Sequence, residues 1–124
     1  MIDSPPHRKV DVAVIGGGPA GAAAATLLAC WGHSVTVLTK TRSPDVSLAE
    51  SLPPSIVKPL AAVGLQPAIE AGGFYRSRRN TVWWGEHNGR SESFRSGSRG
   101  YQVVRHAFDE VLLDQAAPVG SLGT

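Results

Sequence analysis

Three glycines at positions 16, 18 and 21, set in the run V-D-V-A-V-I-G-G-G-P-A-G from Val10 to Gly21, are the residues whose type and spacing imply chemistry most directly. An apolar, β-branched run stops at a glycine corner, and an alanine-rich helical pattern begins at once. Such a strand, turn and helix can hold the diphosphate of a dinucleotide against bare backbone. Gly16 permits a sharp exit from the strand, where φ can be positive. Gly18 has no Cβ, so the main chain can approach phosphate oxygens. Gly21 sits in the first helical turn and lets helix and strand lie close. Pro19 suits a first helical position, because its missing N–H has no partner there in any case. Free amides at the helix N-terminus then face the anion with a partial positive charge. Gly16, Gly18, Pro19, Ala20 and Gly21 are therefore the candidate diphosphate-binding residues. The competing reading is a glycine-rich turn that serves packing alone.

The end of the second predicted strand selects the dinucleotide. A carboxylate there would accept hydrogen bonds from the adenosine ribose. Thr39 holds that position, followed by Lys40 and Arg42. A neutral residue followed by cations suits a 2′-phosphate and points to NADP. Thr39 could also accept one ribose hydrogen bond, and Lys40 could approach the adenine or the phosphates. Local chemistry leaves FAD and NADP level.

The elements that must position these residues follow from pattern. Val10 to Ile15 reads as a strand apolar on both faces, as in a buried parallel sheet. Pro19 to Trp31 reads as a helix stopped by Gly32, and Ser34 to Thr39 as a second strand. Lys40 to Ser51 reads as a loop. A helical pattern follows Pro53 and Pro54 up to Gly64, with Pro59 as a place for a kink or break. Thr81 to Trp84 and Ser91 to Phe94 read as a hairpin around Asn88-Gly89. Tyr101 to Val104 is a short strand, and Arg105 to Ala117 a helix with Phe108, Val111 and Leu112 on one side. The fold class is α/β: a Rossmann-like βαβ unit with an antiparallel β-hairpin insertion, incomplete. Residues 1–9 form a flexible start and 10–124 a partial dinucleotide-binding domain.

Bulk properties narrow the field. A chain of 124 residues is one domain at most, and a formal charge of +2 does not by itself imply a polyanionic partner. The single cysteine, Cys30, excludes an internal disulfide and a cysteine-based zinc site; it reads as a small buried residue. No metal site has the required ligand spacing. No stretch has the pattern of a signal peptide or membrane span, so the expected location is cytoplasmic. His7, His33, His87 and His106 are scattered and read as surface residues. Of Trp83 and Trp84, adjacent on a strand, at most one can line a pocket. Arg76, Arg78, Arg79, Arg90, Arg95 and Arg99 form a basic stretch interrupted by Glu86 and Glu92, and nucleic-acid binding is not expected. The last residues, from Pro118 onward, offer no closing element, so the chain reads as the N-terminal portion of a longer protein or a truncated product.

Three segments in order carry a resemblance: the glycine corner through Ala25, A-E-S-L-P-P-S over Ala49 to Ser55, and Y-Q-V-V-R-H-A-F-D-E-V-L-L-D-Q-A over Tyr101 to Ala116. Together they resemble the N-terminal part of FAD-dependent monooxygenases, in the branch of the flavin-dependent halogenases and related hydroxylases and reductases. The resemblance implies FAD as cofactor. It implies that Glu50 and Ser51 pass beside the flavin, that Arg105 contacts FAD, that Phe108 and Leu112 pack their helix, and that Asp109 is structural. It implies oxygen transfer to a small organic substrate through a flavin C4a-(hydro)peroxide, with electrons from NAD(P)H or a flavin reductase. Two departures stand out: Thr39 where the family usually has Glu, and Ala49 where it usually has Gly. No lysine lies where the halogenase catalytic lysine is expected, about thirty residues after the Glu-Ser pair. Hydroxylation is therefore expected ahead of halogenation or reduction, with a non-catalytic remnant or an NADPH-binding module as alternatives. No residue is assigned as catalytic.

Overall fold

The computed structural model describes residues 9–40, 48–85, 88–95, 97–116 and 119–121, the last three as backbone. Nearly all of the flexible start expected at 1–9, and also His7, Arg42, Glu86 and His87, lie outside the described residues.

The chain begins with β1 (Val12–Ile15), α1 (Pro19–Cys30) and β2 (Val35–Thr39), the expected βαβ unit. β1 and β2 pair in parallel, Val12 beside Val35 and Ile15 beside Leu38. α1 ends at Trp31 with a paired closure. The Gly32 amide donates to the Ala29 carbonyl at 3.0 Å and the His33 amide to Leu28 at 3.1 Å, the bonding of a Schellman motif. The reading of Gly32 as the stop is correct. Cys30 is exposed rather than buried, because the last turn of α1 carries it away from the sheet.

After β2 the chain leaves this sheet. The end of the loop expected from Lys40 to Ser51 instead joins Leu52 in β3 (Ala49–Leu52); its four residues pair antiparallel with β7 (Gly100–Val104), Glu50 opposite Val103 and Ser51 opposite Gln102. A 3₁₀ turn (Pro54–Ile56) leads into α2 (Val57–Ala62). Pro59 has no N–H to return to Ser55, so the α-helix starts at Val57 and Pro59 falls in its first turn, where it costs no bond. The expected break is thus a change of helix type upstream of the proline. Leu65 closes α2, its amide donating to the Leu60 carbonyl at 2.8 Å. α3 (Gln66–Ala71) and β4 (Tyr75–Ser77), both unread in the sequence, follow; β4 pairs with the other edge of β7.

β5 (Arg79–Val82) and β6 (Arg90–Ser93) make the expected hairpin, but their connection runs from Trp83 to Gly89. Asn88-Gly89 is only the end of that connection, not a two-residue turn. α4 (Arg105–Asp114) follows β7, and β8 (Val119–Ser121) returns to pair in parallel with β2. The expectation of no closing element is therefore wrong: the chain re-enters the first sheet, whose order is β1-β2-β8.

Two adjoining cores result. One gathers Ala22, Leu60, Leu65, Ile69, Tyr101, Val103, Phe108 and Leu112, with the Phe74 and Phe108 rings edge to face at 5.9 Å. The other gathers Ala25, Val35 and Val37 beneath α1. The small residues Ala22 and Ala25 are fully enclosed, so α1 lies close on its neighbours. Among the described residues, one face of the parallel sheet is covered more fully than the other. Val12 and Val14 turn toward α1, while Ala13 and Ile15 on the opposite face are exposed, contrary to a strand buried on both sides.

Candidate functional site

The glycine corner is built as its residue types require. Gly16 has φ +111°, a conformation that glycine adopts at little cost. Its amide donates to the Leu38 carbonyl at 2.8 Å, which pins the end of β1 to β2. A Cβ at Gly21 would lie 1.9 Å from the Gly16 carbonyl oxygen, whereas a Cβ at Gly18 would meet nothing within 4 Å. Gly21 is thus a contact with the protein itself, and Gly18 faces open space. Pro19 is the first residue of the 12-residue helix α1, and no acidic side chain occupies its first turn. The Ala22 amide donates to the Gly18 carbonyl at 2.9 Å. The amides of Ala20 and Gly21 precede the first intrahelical bond, and no other acceptor takes them among the described residues. Bare donors and empty space at a helix N-terminus fit a diphosphate.

Thr39 has a role the sequence reading did not assign. Its Oγ1 accepts a hydrogen bond from the Gly17 amide at 3.1 Å. Gly17 is buried, and a Cβ there would lie 2.6 Å from that oxygen. Thr39 therefore braces the middle of the glycine run from the adjacent strand. Its short side chain leaves the space beyond it to Lys40, which is exposed.

Glu50 and Arg105 are brought together across 55 residues of sequence. Arg105 Nη1 donates to Glu50 Oε1 at 2.8 Å, and its Nε to Asp109 Oδ1 at 3.3 Å. The Glu50 hydrogen bond, then that of Asp109, raises the Arg105 pKa, so the guanidinium stays charged. Asp109 is buried, which agrees with the structural role expected of it. The Leu48 carbonyl accepts the Arg105 amide at 2.9 Å, so the start of α4 is tied to the entry of β3.

Pro19, Glu50 and Arg105 share the wall of one cavity of about 280 Å³, whose remaining lining is apolar and includes Leu52, Leu60 and Phe108. The sequence-predicted residues thus separate into groups. Pro19, Glu50 and Arg105 converge; Gly16, Gly18, Ala20 and Gly21 form the adjoining corner; Thr39 supports it from behind. Ser51 does not join them. It points outward and donates from Oγ to Gln102 Oε1 at 2.9 Å, a cross-strand pair. Lys40 is not part of the cavity wall either.

A second polar constellation escaped sequence reading. Tyr101 is buried, and its hydroxyl donates to Glu70 Oε1 at 2.7 Å while accepting from Gln66 Nε2 at 2.8 Å. Arg76 lies over the Tyr101 ring, 4.3 Å from its centre, and bridges Glu70 at 3.2 Å. The Tyr101 hydrogen bond holds the Glu70 carboxyl below its ordinary range, and burial raises the Tyr101 hydroxyl. The cluster joins α3, β4 and β7 and does not reach the glycine corner. His106 pairs with Glu110 at 3.4 Å, and both Trp83 and Trp84 are exposed. Among the described residues, no three of His, Cys, Asp and Glu are grouped to hold a metal, and no helix is long and apolar enough to cross a membrane.

Comparison with known proteins bears on this corner. The sequence model of the FAD binding domain family matches residues 9–123. A tryptophan 2-halogenase of Chondromyces crocatus is 39% identical over 114 residues, which are 88% of this chain and 21% of that protein. A flavin-dependent halogenase of Armillaria mellea is 34% identical over 126 residues, 94% of this chain and 23% of its own length. The chain therefore spans less than a quarter of these relatives. Among solved structures, the myxobacterial chondrochloren halogenase, described as a variant of FAD-dependent halogenases, superposes with a TM-score of 0.75 at 32% identity, over 90% of this chain and 28% of that one. The open corner and the glycine spacing fit a dinucleotide diphosphate, the family and these relatives identify the dinucleotide as FAD, and the chain belongs to the FAD-binding domain family shared with the flavin-dependent halogenases.

Proposed function

We propose that the chain supplies the cofactor-binding corner of a flavin-dependent oxidoreductase acting on a small organic substrate. One observation carries the reading: the space at Gly18 is open and lies before the unaccepted amides of α1. Gly16, Gly18, Ala20 and Gly21 would hold the FAD diphosphate by main chain, with Pro19 setting the helix start. Glu50 and Arg105 would stand at the cavity mouth, Arg105 offering a permanent positive charge to the cofactor. The apolar wall beyond them excludes water. Bound FAD, once reduced, supplies the oxygen chemistry; the protein supplies position and a dry site. Thr39 and Lys40 would face the adenosine end, and Ser51 would stay with Gln102 at the rim.

Halogenation is the first reading of the reaction, because the curated relatives named above are halogenases. Hydroxylation is the second, and one feature favours it: the stretch from Gly72 to Val104 contains no lysine. Electrons would come from a flavin reductase or NAD(P)H.

The cofactor reading is tested by titrating the chain with FAD and following quenching of flavin fluorescence. Gly18→Val is the decisive variant. Its φ of −77° is open to any residue and its Cβ meets no protein atom, so the fold should persist while the side chain fills the phosphate space. Binding by the wild type and a loss of roughly tenfold or more in the variant are expected. Equal affinity in both would remove the glycine corner from the site. The reaction is tested in a chain of the relatives' full length, given tryptophan, bromide, oxygen, NADH and a flavin reductase. A brominated product supports halogenation; a product heavier by one oxygen supports hydroxylation.

A further inference from the structure

We propose that the root of the β5–β6 hairpin is a binding site for the phosphoryl group of a small soluble ligand, separate from the glycine corner. Arg78, Arg79, Arg95 and Arg99, with Ser93 and Ser98, line a polar concavity of about 280 Å³. Two main-chain bonds hold its walls: the Phe94 amide donates to the Arg78 carbonyl at 3.0 Å, and the Ser98 amide to Arg95 at 2.8 Å. The pairing of Arg79 with Ser93 sets one arginine and one hydroxyl side by side.

The charge balance is what singles out this place. Arg76, Arg90 and Arg105 each have a carboxylate partner, at 3.2, 2.7 and 2.8 Å. None of the four arginines around the concavity has one among the described residues. Their four positive charges exceed the formal +2 of the whole chain. Like charges gathered around one space without a counter-charge call for an anion, and arginine's planar fork matches phosphate oxygens two at a time. The serine hydroxyls add neutral donors. The space accommodates a phosphoryl group with its attachment.

A nucleic-acid strand is the less favoured occupant. Stacking platforms normally interleave with the cations of such a surface, yet the one aromatic residue lining the concavity, Phe94, is half-buried, and the exposed Trp84 lines a different face of the hairpin, with Asn80, Val82, Arg90 and the acidic Glu92. The concavity belongs to β5, β6 and the segment before β7, and shares no residue with the cavity walled by Pro19, Glu50 and Arg105.

The test is calorimetric titration of the full chain with inorganic pyrophosphate, in wild type, Arg79→Gln/Arg95→Gln and Arg79→Lys/Arg95→Lys. All four side chains are exposed, so the fold should survive, and unchanged far-ultraviolet dichroism confirms it. Loss of roughly tenfold or more for each arginine made neutral is expected, with an intermediate loss for lysine. FAD binding should stay unchanged in both variants. Pyrophosphate held equally by wild type and the glutamine variant would overturn the proposal, since that is the outcome if the anion sits at the glycine corner. A parallel titration with NADPH and NADH identifies the source. Tighter binding of NADPH that depends on Arg79 and Arg95 assigns the phosphoryl group to a nucleotide, and equal weak binding of both assigns it to a free phosphate ester or ion. RNA captured in place of pyrophosphate would also overturn it.

Discussion

Two glycines of one motif do different work, and substitution separates them. Gly21→Ala drives a methyl group into the Gly16 carbonyl, which must move to admit it. Overpacking of this kind costs about 1–3 kcal/mol, and because the carbonyl belongs to the corner itself, FAD affinity should fall together with the urea midpoint. Gly18→Ala should leave the midpoint within error while weakening FAD alone. If both substitutions lower stability equally, the assignment of Gly18 to open space is wrong. Thr39 gives a third residue-scale test. Thr39→Val removes the acceptor for the buried Gly17 amide, at a cost of about 1–3 kcal/mol, whereas Thr39→Ser keeps the oxygen and most of the stability. Equal unfolding midpoints for Thr39→Val and wild type would show that the bond contributes nothing.

At the scale of elements, the Tyr101 cluster ties β7 to α3 and β4 and should set the pH limits of stability. Glu70 has a folded pKa below its ordinary 4.5, so its contribution is complete above that value and is lost as pH falls through the folded pKa. Asp11, held low by the Ser34 amide at 2.7 Å, adds to the same acid limb. Tyr101 has a folded pKa above its ordinary 10.0, so its contribution is complete below that value and fades as pH rises further. Urea midpoints should form a plateau bounded by these two limits. Tyr101→Phe should remove the alkaline limb and cost roughly 1 kcal/mol on the plateau, with the acid limb retained through Asp11. An alkaline limb unchanged in Tyr101→Phe would assign it to another group. Which elements the sequence disclosed depended on whether their cause was local. The βαβ unit was legible because periodicity, the glycine corner and the Gly32 closure all lie within neighbouring residues. β3 was not, because A-E-S-L alternates weakly and becomes a strand only through β7, fifty residues away. The Glu50–Arg105 pair was reachable only as two separate motifs, since nothing in either segment announces the other. The Tyr101 cluster left no local signal at all: its members come from three elements, and only the fold assembles them.

At the scale of the whole molecule, the described residues cover the two faces of the parallel sheet unequally. A parallel sheet is ordinarily covered on both faces, yet here Ile15 remains 76% exposed on the side away from α1. Such apolar surface drives self-association in water. The isolated chain should sediment as a concentration-dependent mixture, and Ile15→Lys should shift it toward the monomer without altering FAD titration. A monomer at every concentration tested would show that this face is harmless. The return of β8 to β2 has a consequence of another kind. During synthesis, Val37 emerges from the ribosome long before Val119, its eventual neighbour. The third strand must wait until every intervening helix and hairpin has been made, so the nascent chain carries a half-built sheet with an open edge until β8 follows. Chaperone engagement on stalled ribosomes should accordingly persist through those lengths and end only once β8 clears the exit tunnel.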